Sequence, residues 1–190
     1  LLRAESTGPS VSKLVPKVRS SAKILYFIYI GITLCEIVFL LFGGMSLFEA
    51  LTLSFGTAGT GGFGIVNSSV ADYSPFVQNT ITVFMILFGI DFTVYYLILT
   101  RRWRDALKSD EYKVYLSVIL VSALLISVNC RYLFPDFATS LRHGFFQTAS
   151  IITTTGYSTA NFDLWPSLSK TILVVLMFVG ACAGSTGGGI

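Results

Sequence analysis

Charged residues are scarce in this sequence. They make up 12% of its 190 residues, whereas soluble domains carry about 25%, so an ordinary water-soluble fold is excluded. Cysteine and histidine are also rare, with Cys35, Cys130 and Cys182 far apart and a single histidine, His143. Without a paired-cysteine motif, the sequence indicates neither a zinc site nor a disulfide framework. We interpret the cysteines as packing residues.

Long apolar runs are what the sequence does contain. They cover residues 24–41, 76–99, 114–128 and 168–179. Because about 20 helical residues cross the hydrocarbon core, the first two are predicted to be full spans and the last two are shorter candidates. The sequence therefore predicts an all-α membrane protein. Residues 1–22 are basic and polar, so we expect a loop there and no cleavable signal peptide. We also expect the chain to be a fragment of a longer protein, because it stops inside a glycine tract.

The basic residues indicate how the spans are oriented. Ten of the lysines and arginines flank the first two spans on one side: Arg3, Lys13, Lys17, Arg19 and Lys23 precede the first, and Arg101, Arg102, Arg104, Lys108 and Lys113 follow the second. The connection at 66–75 has none. By the positive-inside rule the basic segments face the cytoplasm and that connection faces outward. Topology thus explains the charge better than a nucleic-acid-binding patch.

A repeat lies between the spans. Residues 46–64 align without a gap on residues 140–158 at a constant offset of 94, so that Thr60 falls on Thr154 and Gly62 on Gly156. Each copy reads as a short helix followed by a Thr/Gly tract, which indicates a duplicated unit. The helix is too short to cross, so it must enter from outside and return. Irregular backbone at membrane depth is tolerated only inside protein or beside a water-filled cavity, so the repeat predicts a pore.

The Thr/Gly tracts predict a cation filter. Potassium filters are rings of backbone carbonyls from four loops of the Thr-Val-Gly-Tyr-Gly type, and a central glycine permits the backbone angles that this needs. The candidate filter residues are Thr60, Gly61, Gly62, Phe63 and Gly64 in the first copy and Thr154, Thr155, Gly156, Tyr157 and Ser158 in the second. We expect both aromatic side chains to pack outward. The alternative is a helix-packing surface of small residues.

A glycine tract follows the last apolar run. It consists of Gly184, Ser185, Thr186, Gly187, Gly188 and Gly189. Each glycine costs a helix about 1 kcal/mol relative to alanine, so the tract breaks the span. A nucleotide-binding loop would need a lysine before its Ser/Thr, which is absent here. A flexible cytoplasmic linker is the other alternative.

Two acidic residues lie inside apolar segments. Glu36 and Asp91 would each cost at least about 2.5–3.5 kcal/mol facing lipid, so we expect both to face the interior. Cation attraction and hydrogen bonding within the bundle both remain open as their roles. Glu49 and His143 lie near the starts of the short helices, where we interpret Glu49 as a helix-start acid and His143 as an interfacial hydrogen-bonding residue.

Several motifs together resemble a known family. They are TTTGYST at 153–159 with Trp165-Pro166, TGGF at 60–63, AESTGP at 4–9 and GACAGSTGGGI at 180–190. They are similar to the TrkH branch of the Trk/Ktr/HKT potassium transporters. The resemblance implies four channel-like repeats around one pore in the cytoplasmic (inner) membrane, a homodimer, and a TrkA-like cytosolic nucleotide-binding regulatory subunit. This chain would hold the second and third repeats, and the tract at 184–189 would be an intramembrane gate. Gly64 departs from the serine common in this branch.

The sequence predicts four segments along the chain. Residues 1–22 form a cytoplasmic loop, 23–100 one channel-like repeat, 101–113 a cytoplasmic connection, and 114–190 a second repeat that ends in the glycine-rich loop. The predicted function is potassium uptake, in which potassium is the transported ion. We expect membrane lipid around the protein. We expect no cofactor in this chain and no nucleic-acid partner. An intramembrane serine protease using Ser185 and His143 is an alternative, as is a structural membrane subunit.

Overall fold

The computed structural model describes residues 15–189, with side chains from residue 22 onward. Over that range the chain forms α-helices and short 3-10 turns, with no strand. The helices are α1 (Val15–Phe42), α2 (Leu47–Ala58), α3 (Pro75–Phe88), α4 (Phe92–Leu99), α5 (Trp103–Ala106), α6 (Asp110–Asn129), α7 (Phe137–Ile152) and α8 (Ser167–Val179). The motif at 4–9 lies outside the described residues. Helix α1 begins at Val15, within the segment predicted as a loop.

Helices α1 and α6 are long and apolar enough to cross a membrane. The candidate span predicted at 114–128 lies within α6, which has 20 residues and is longer than the apolar run. The first turn of α6 contains Asp110 and Glu111. Acidic residues are favourable at a helix N-terminus, so the helix begins before the apolar run. Helix α8 remains short, with 13 residues, and ends at Val179 before the glycine tract.

The predicted full span at 76–99 is not one straight helix. It consists of α3 and α4, which meet at a bend of 87°. Gly89 ends α3, and the Asp91 carboxylate caps α4 by accepting a hydrogen bond from the Thr93 amide at 2.8 Å. Asp91 therefore acts as a helix cap, one of its two predicted roles. The three residues 89–91 between the helices form a break that we call the α3–α4 break.

The two short helices begin with side-chain caps. Ser46 and Glu49 form a capping box at α2, in which the Glu49 carboxylate accepts from the Ser46 amide at 3.0 Å. Hydrogen bonds from the Ser46 hydroxyl and amide hold the pKa of Glu49 below its ordinary value. At α7, Asp136 accepts from the Thr139 amide at 3.0 Å. Both caps satisfy amides that a helix start leaves unpaired, and Glu49 is a helix-start acid as predicted.

The helices pack as two similar units. Helix α1 contacts α2 and α3 in the first unit, α6 contacts α7 and α8 in the second, and α3 contacts α7 between them. One buried apolar cluster joins the units and includes Leu53 of α2, Phe146 of α7 and Tyr157. Large apolar side chains such as Phe27, Leu34 and Phe178 are exposed along the spans. Such side chains suit contact with lipid.

Candidate functional site

The two Thr/Gly tracts share an unusual backbone conformation. Thr60 and Thr154 both have positive φ, at 50° and 58°, and so do Gly62 and Gly156, at 65° and 93°. A left-handed conformation costs an L-residue about 1–2 kcal/mol. This conformational cost recurs at Thr60 and Thr154, which are equivalent in the two copies. The surrounding structure therefore imposes the conformation in both.

Hydrogen bonds fix this conformation in the same way in both copies. The Gly61 amide donates to the Gly56 carbonyl at 2.7 Å, and the equivalent Thr155 amide donates to the Ser150 carbonyl at 3.0 Å. Each bond ties the tract to the last turns of its short helix. The offset of 94 residues read from the sequence is thus an equivalence in three dimensions.

The two tracts also touch each other. A Cβ atom added at Gly62 would overlap the Thr155 carbonyl oxygen and lie 3.0 Å from the Gly156 carbonyl carbon. Farther along, the Ser158 carbonyl accepts from the Val70 amide at 3.0 Å. The structure therefore brings the two predicted filter segments side by side.

Most carbonyl groups of the tracts are not used within the protein. Among residues 15–189, no backbone or side-chain donor bonds the carbonyls of 60–64 or of 154–156. The Tyr157 carbonyl accepts from the Ser150 hydroxyl, and the Ser158 carbonyl is bonded as described. Most residues of the two tracts are exposed or half-buried among the described residues, with Thr155 buried, so these carbonyls are accessible. A cluster of unpaired carbonyls is an oxygen-rich surface of the kind that coordinates a dehydrated cation.

The two aromatic residues differ in their packing. Tyr157 is fully buried, and its hydroxyl donates to the Leu53 carbonyl of α2 at 3.1 Å. It thus braces the second tract against the short helix of the first unit, as predicted. Phe63 is 83% exposed among the described residues, so its outward packing stays a prediction.

The glycine tract docks on the α3–α4 break. Within the tract, the Thr186 amide donates to the carbonyl of Phe88, the last residue of α3, at 3.2 Å, and just before the tract the Cys182 amide donates to the Gly89 carbonyl at 3.0 Å. The exposed ends of a broken helix leave such carbonyls unpaired, so the tract satisfies them. The sequence analysis missed this docking surface, although a glycine followed closely by a capping aspartate at 89–91 is a helix-end and helix-start signal.

The other side of the tract contacts the start of both filter segments. The Thr60 hydroxyl donates to the Thr186 carbonyl at 3.3 Å, and the Gly188 amide donates to the Thr154 hydroxyl at 2.9 Å. The residue before the tract, Ala183, donates through its amide to the Glu111 carboxylate. The tract therefore lies at the end of the filter segments that contains Thr60 and Thr154.

The remaining candidate residues lie elsewhere. His143 Nδ1 is 2.8 Å from the Thr159 hydroxyl, and its ring stacks on Phe134 with centroids 4.8 Å apart. Burial, and then the neighbouring Arg142, lower the pKa of His143. The Ser185 hydroxyl instead accepts from the Gly187 amide. His143 and Ser185 thus have different partners and form no catalytic pair.

Known proteins resemble the whole chain. A family model described as "TrkH: Cation transport protein" matches residues 132–190. The Trk system potassium uptake protein TrkH of Salmonella typhimurium is 32% identical over 199 residues, covering 100% of this chain and 40% of that protein. The TrkH of Halomonas elongata is 33% identical over 194 residues, again covering 100% of this chain and 40% of that protein.

A solved structure is similar as well. The crystal structure of the potassium transporter TrkH from Vibrio parahaemolyticus matches with a TM-score of 0.85 and 28% identity, covering 92% of this chain and 39% of that one. The resemblance inferred from the motifs is confirmed, as is the all-helical membrane fold. The chain spans about two fifths of the length of the curated relatives it matches.

Proposed function

From the likeness of this chain to the TrkH cation transport proteins, we propose that it is the part of a potassium uptake protein that supplies two neighbouring filter loops. The relatives are named potassium uptake proteins of the Trk system. Potassium is the transported ion, the process is transport and not catalysis, and the protein lies in the cytoplasmic membrane. The observation that supports this most strongly is the pair of adjoining tracts with unpaired carbonyls and left-handed Thr and Gly at equivalent positions.

The carbonyls that we assign to ion binding are those of the first three residues of each tract. Carbonyls of 60–62 and 154–156 accept no hydrogen bond from the described residues, whereas those of Tyr157 and Ser158 do. The carbonyls of 63 and 64 also accept no such bond, but they are equivalent to those of Tyr157 and Ser158, so we assign the ion-binding role first to 60–62 and 154–156. Neutral carbonyls suit conduction, because binding must be favourable enough for entry yet weak enough for exit.

The close approach of Gly62 to Thr155 supports a ring in which neighbouring loops adjoin in this way. Because Gly156 is equivalent to Gly62, it meets a further loop of the full-length protein in the same way. Phe63 likewise packs on the short helix of the preceding repeat, as Tyr157 packs on α2. Four repeats then close the ring around one pore.

The glycine tract is the gate in this proposal. It contacts the hydroxyls of Thr60 and Thr154 on one side and the α3–α4 break on the other. A loop in that position covers the inner end of the filter and must move before an ion passes. A homodimer and a TrkA-like nucleotide-binding subunit on the cytoplasmic side complete the proposal, and the subunit would control this movement.

The experiment is ion flux through the full-length protein in liposomes. Wild-type protein should conduct potassium in preference to sodium. Gly156→Ser should lower that preference, because a side chain at the central level disturbs the carbonyl ring. Flux without potassium preference in the wild type, or an unchanged preference in a folded Gly156→Ser variant, would refute the proposal.

A further inference from the structure

The loop at 66–74 joins the first Thr/Gly tract to α3 and contacts the end of the second tract. Both backbone groups of Ser158 are bonded to it. The Ser158 amide donates to the Ser69 hydroxyl at 3.2 Å, and the Ser158 carbonyl accepts from the Val70 amide at 3.0 Å. Ser158 lies two residues after Gly156. A loop of the first unit therefore fixes the filter segment of the second.

The backbone of Ser69 is strained at this contact. Its φ is +57°, in the left-handed region that is unfavourable for a residue with a side chain. The Ser69 amide donates to the Val66 carbonyl at 3.0 Å, while the Ser69 hydroxyl and the next amide both bond Ser158. Strained residues persist where their surroundings fix them, and they cluster at functional sites. The position of this strain points to a role in the filter.

One buried side chain holds the loop on α3. Gln78 is 3% exposed, and its Nε2 atom donates to the carbonyls of Val70, Ala71 and Tyr73 at 3.1, 3.0 and 3.1 Å. The side chain of Val70 is fully buried in the apolar cluster that joins the units. Val70 thus has its side chain in the core, its carbonyl on Gln78 and its amide on Ser158.

The first tract has no such contact within this chain. Gly64 is the residue equivalent to Ser158, and neither of its backbone groups has a hydrogen-bond partner among residues 15–189. The short helix and the tract are common to both units, so these contacts are not a requirement of that local structure. They pass from one unit to the filter segment of the next.

We propose that Gln78 and Ser69 are positioning residues for ion selection, which hold the second filter segment through the loop at 66–74. Gln78 fixes the loop on α3, Ser69 fixes Ser158, and the placement of Ser158 sets where the nearby Gly156 carbonyl lies. Neither side chain touches the ion, because both act through the backbone. The inference rests on the proposed function, since it concerns the filter of that function.

The first test removes the Ser69 hydroxyl in the full-length protein. Ser69→Ala deletes the acceptor of the Ser158 amide and should lower the potassium-to-sodium flux ratio in liposomes about fivefold, the effect of one lost hydrogen bond. Ser69→Gly deletes the same acceptor but suits the left-handed backbone. Its melting temperature should therefore exceed that of Ser69→Ala, while its flux ratio falls as far. Ser68→Ala is the matched control, because the Ser68 hydroxyl bonds Asp72 instead, and its ratio should be unchanged.

The second test removes the donors of Gln78. Gln78→Met keeps the length of the side chain but donates no hydrogen bond, so three loop carbonyls lose their partner and the ratio should fall at least fivefold. Asn79→Ala is the control, because this neighbouring amide side chain is exposed, and it should leave the ratio unchanged. Potassium-dependent thermal stabilisation, which reports ion binding without flux, should follow the same order in both series.

The outcomes separate the inference from the proposed function. With a potassium-selective wild type, a wild-type ratio in Ser69→Ala or in a folded Gln78→Met protein would overturn the role of that residue. A wild-type ratio in Ser69→Gly, or an equal loss in either control, would overturn the inference as a whole. If Gln78→Met does not fold, the Ser69 variants decide, because they leave the buried core unchanged. A wild type without potassium preference would instead overturn the proposed function, and the inference with it.

Discussion

Gly62→Ala should damage ion selection for two reasons that can be separated. The first is conformational, since φ at Gly62 is +65° and an L-residue there costs about 1–2 kcal/mol. That corresponds to a factor of about 5–30 in the population of the native loop. The second is steric. The new Cβ would overlap the Thr155 carbonyl oxygen, whereas carbon and oxygen normally approach no closer than about 3.3 Å. The adjoining loops must therefore separate.

Gly44→Ala is the matched control. Gly44 also has a left-handed backbone, with φ at +83°, but a Cβ there has no atom within 4 Å. It should show the conformational cost as a lower melting temperature and leave ion preference unchanged. Gly62→Ala should lower the potassium-to-sodium flux ratio at least fivefold in liposomes. A folded Gly62→Ala protein with the wild-type ratio, or an equal loss in Gly44→Ala, would refute the role assigned to this contact.

Three further predictions concern the gate, the topology and the effect of pH. Removing 184–189 should raise ion flux and preserve ion preference, whereas unchanged flux in a folded deletion variant would contradict the gate. Cysteines replacing Ser68 and Asn161 should react with an impermeant thiol reagent from outside, and one replacing Ser109 only from the cytoplasm; labelling of Ser109 in intact cells would reverse the orientation. Since burial lowers the pKa of His143, the folded state favours the neutral ring, and stability should fall as pH drops below about 6.5. His143→Gln should reduce that acid sensitivity, and an identical pH profile would exclude His143 as its source.

The repeat could be read from the sequence because it is local and periodic. A short helix followed by Thr/Gly residues recurs at a fixed offset, and the structure places Thr60 and Thr154 in the same left-handed conformation. The end of α8 at Val179 follows from glycine density for the same reason. Signals of this kind depend on neighbouring residues only.

The α3–α4 break could not be predicted from the hydrophobicity of the sequence. Residues 76–99 are predominantly apolar, and an isolated glycine such as Gly89 is tolerated within helices. The bend is stabilised by hydrogen bonds to the glycine tract and the residues just before it, because the Phe92 amide bonds the Gly184 carbonyl and the Cys182 amide bonds the Gly89 carbonyl. Hydrogen bonds between segments so far apart in the chain leave no local pattern. The same holds for the Thr60–Thr186 contact.

The most direct test of the central claim is anomalous diffraction from the full-length protein crystallised in rubidium. The account predicts anomalous peaks on the pore axis at the level of the carbonyls of 60–62 and 154–156, with the glycine tract beneath them. Rubidium resembles potassium in size and charge and shares its carbonyl ligands. Peaks at the carboxylates of Glu36 or Asp91, with none between the two tracts, would contradict a carbonyl filter formed by these residues.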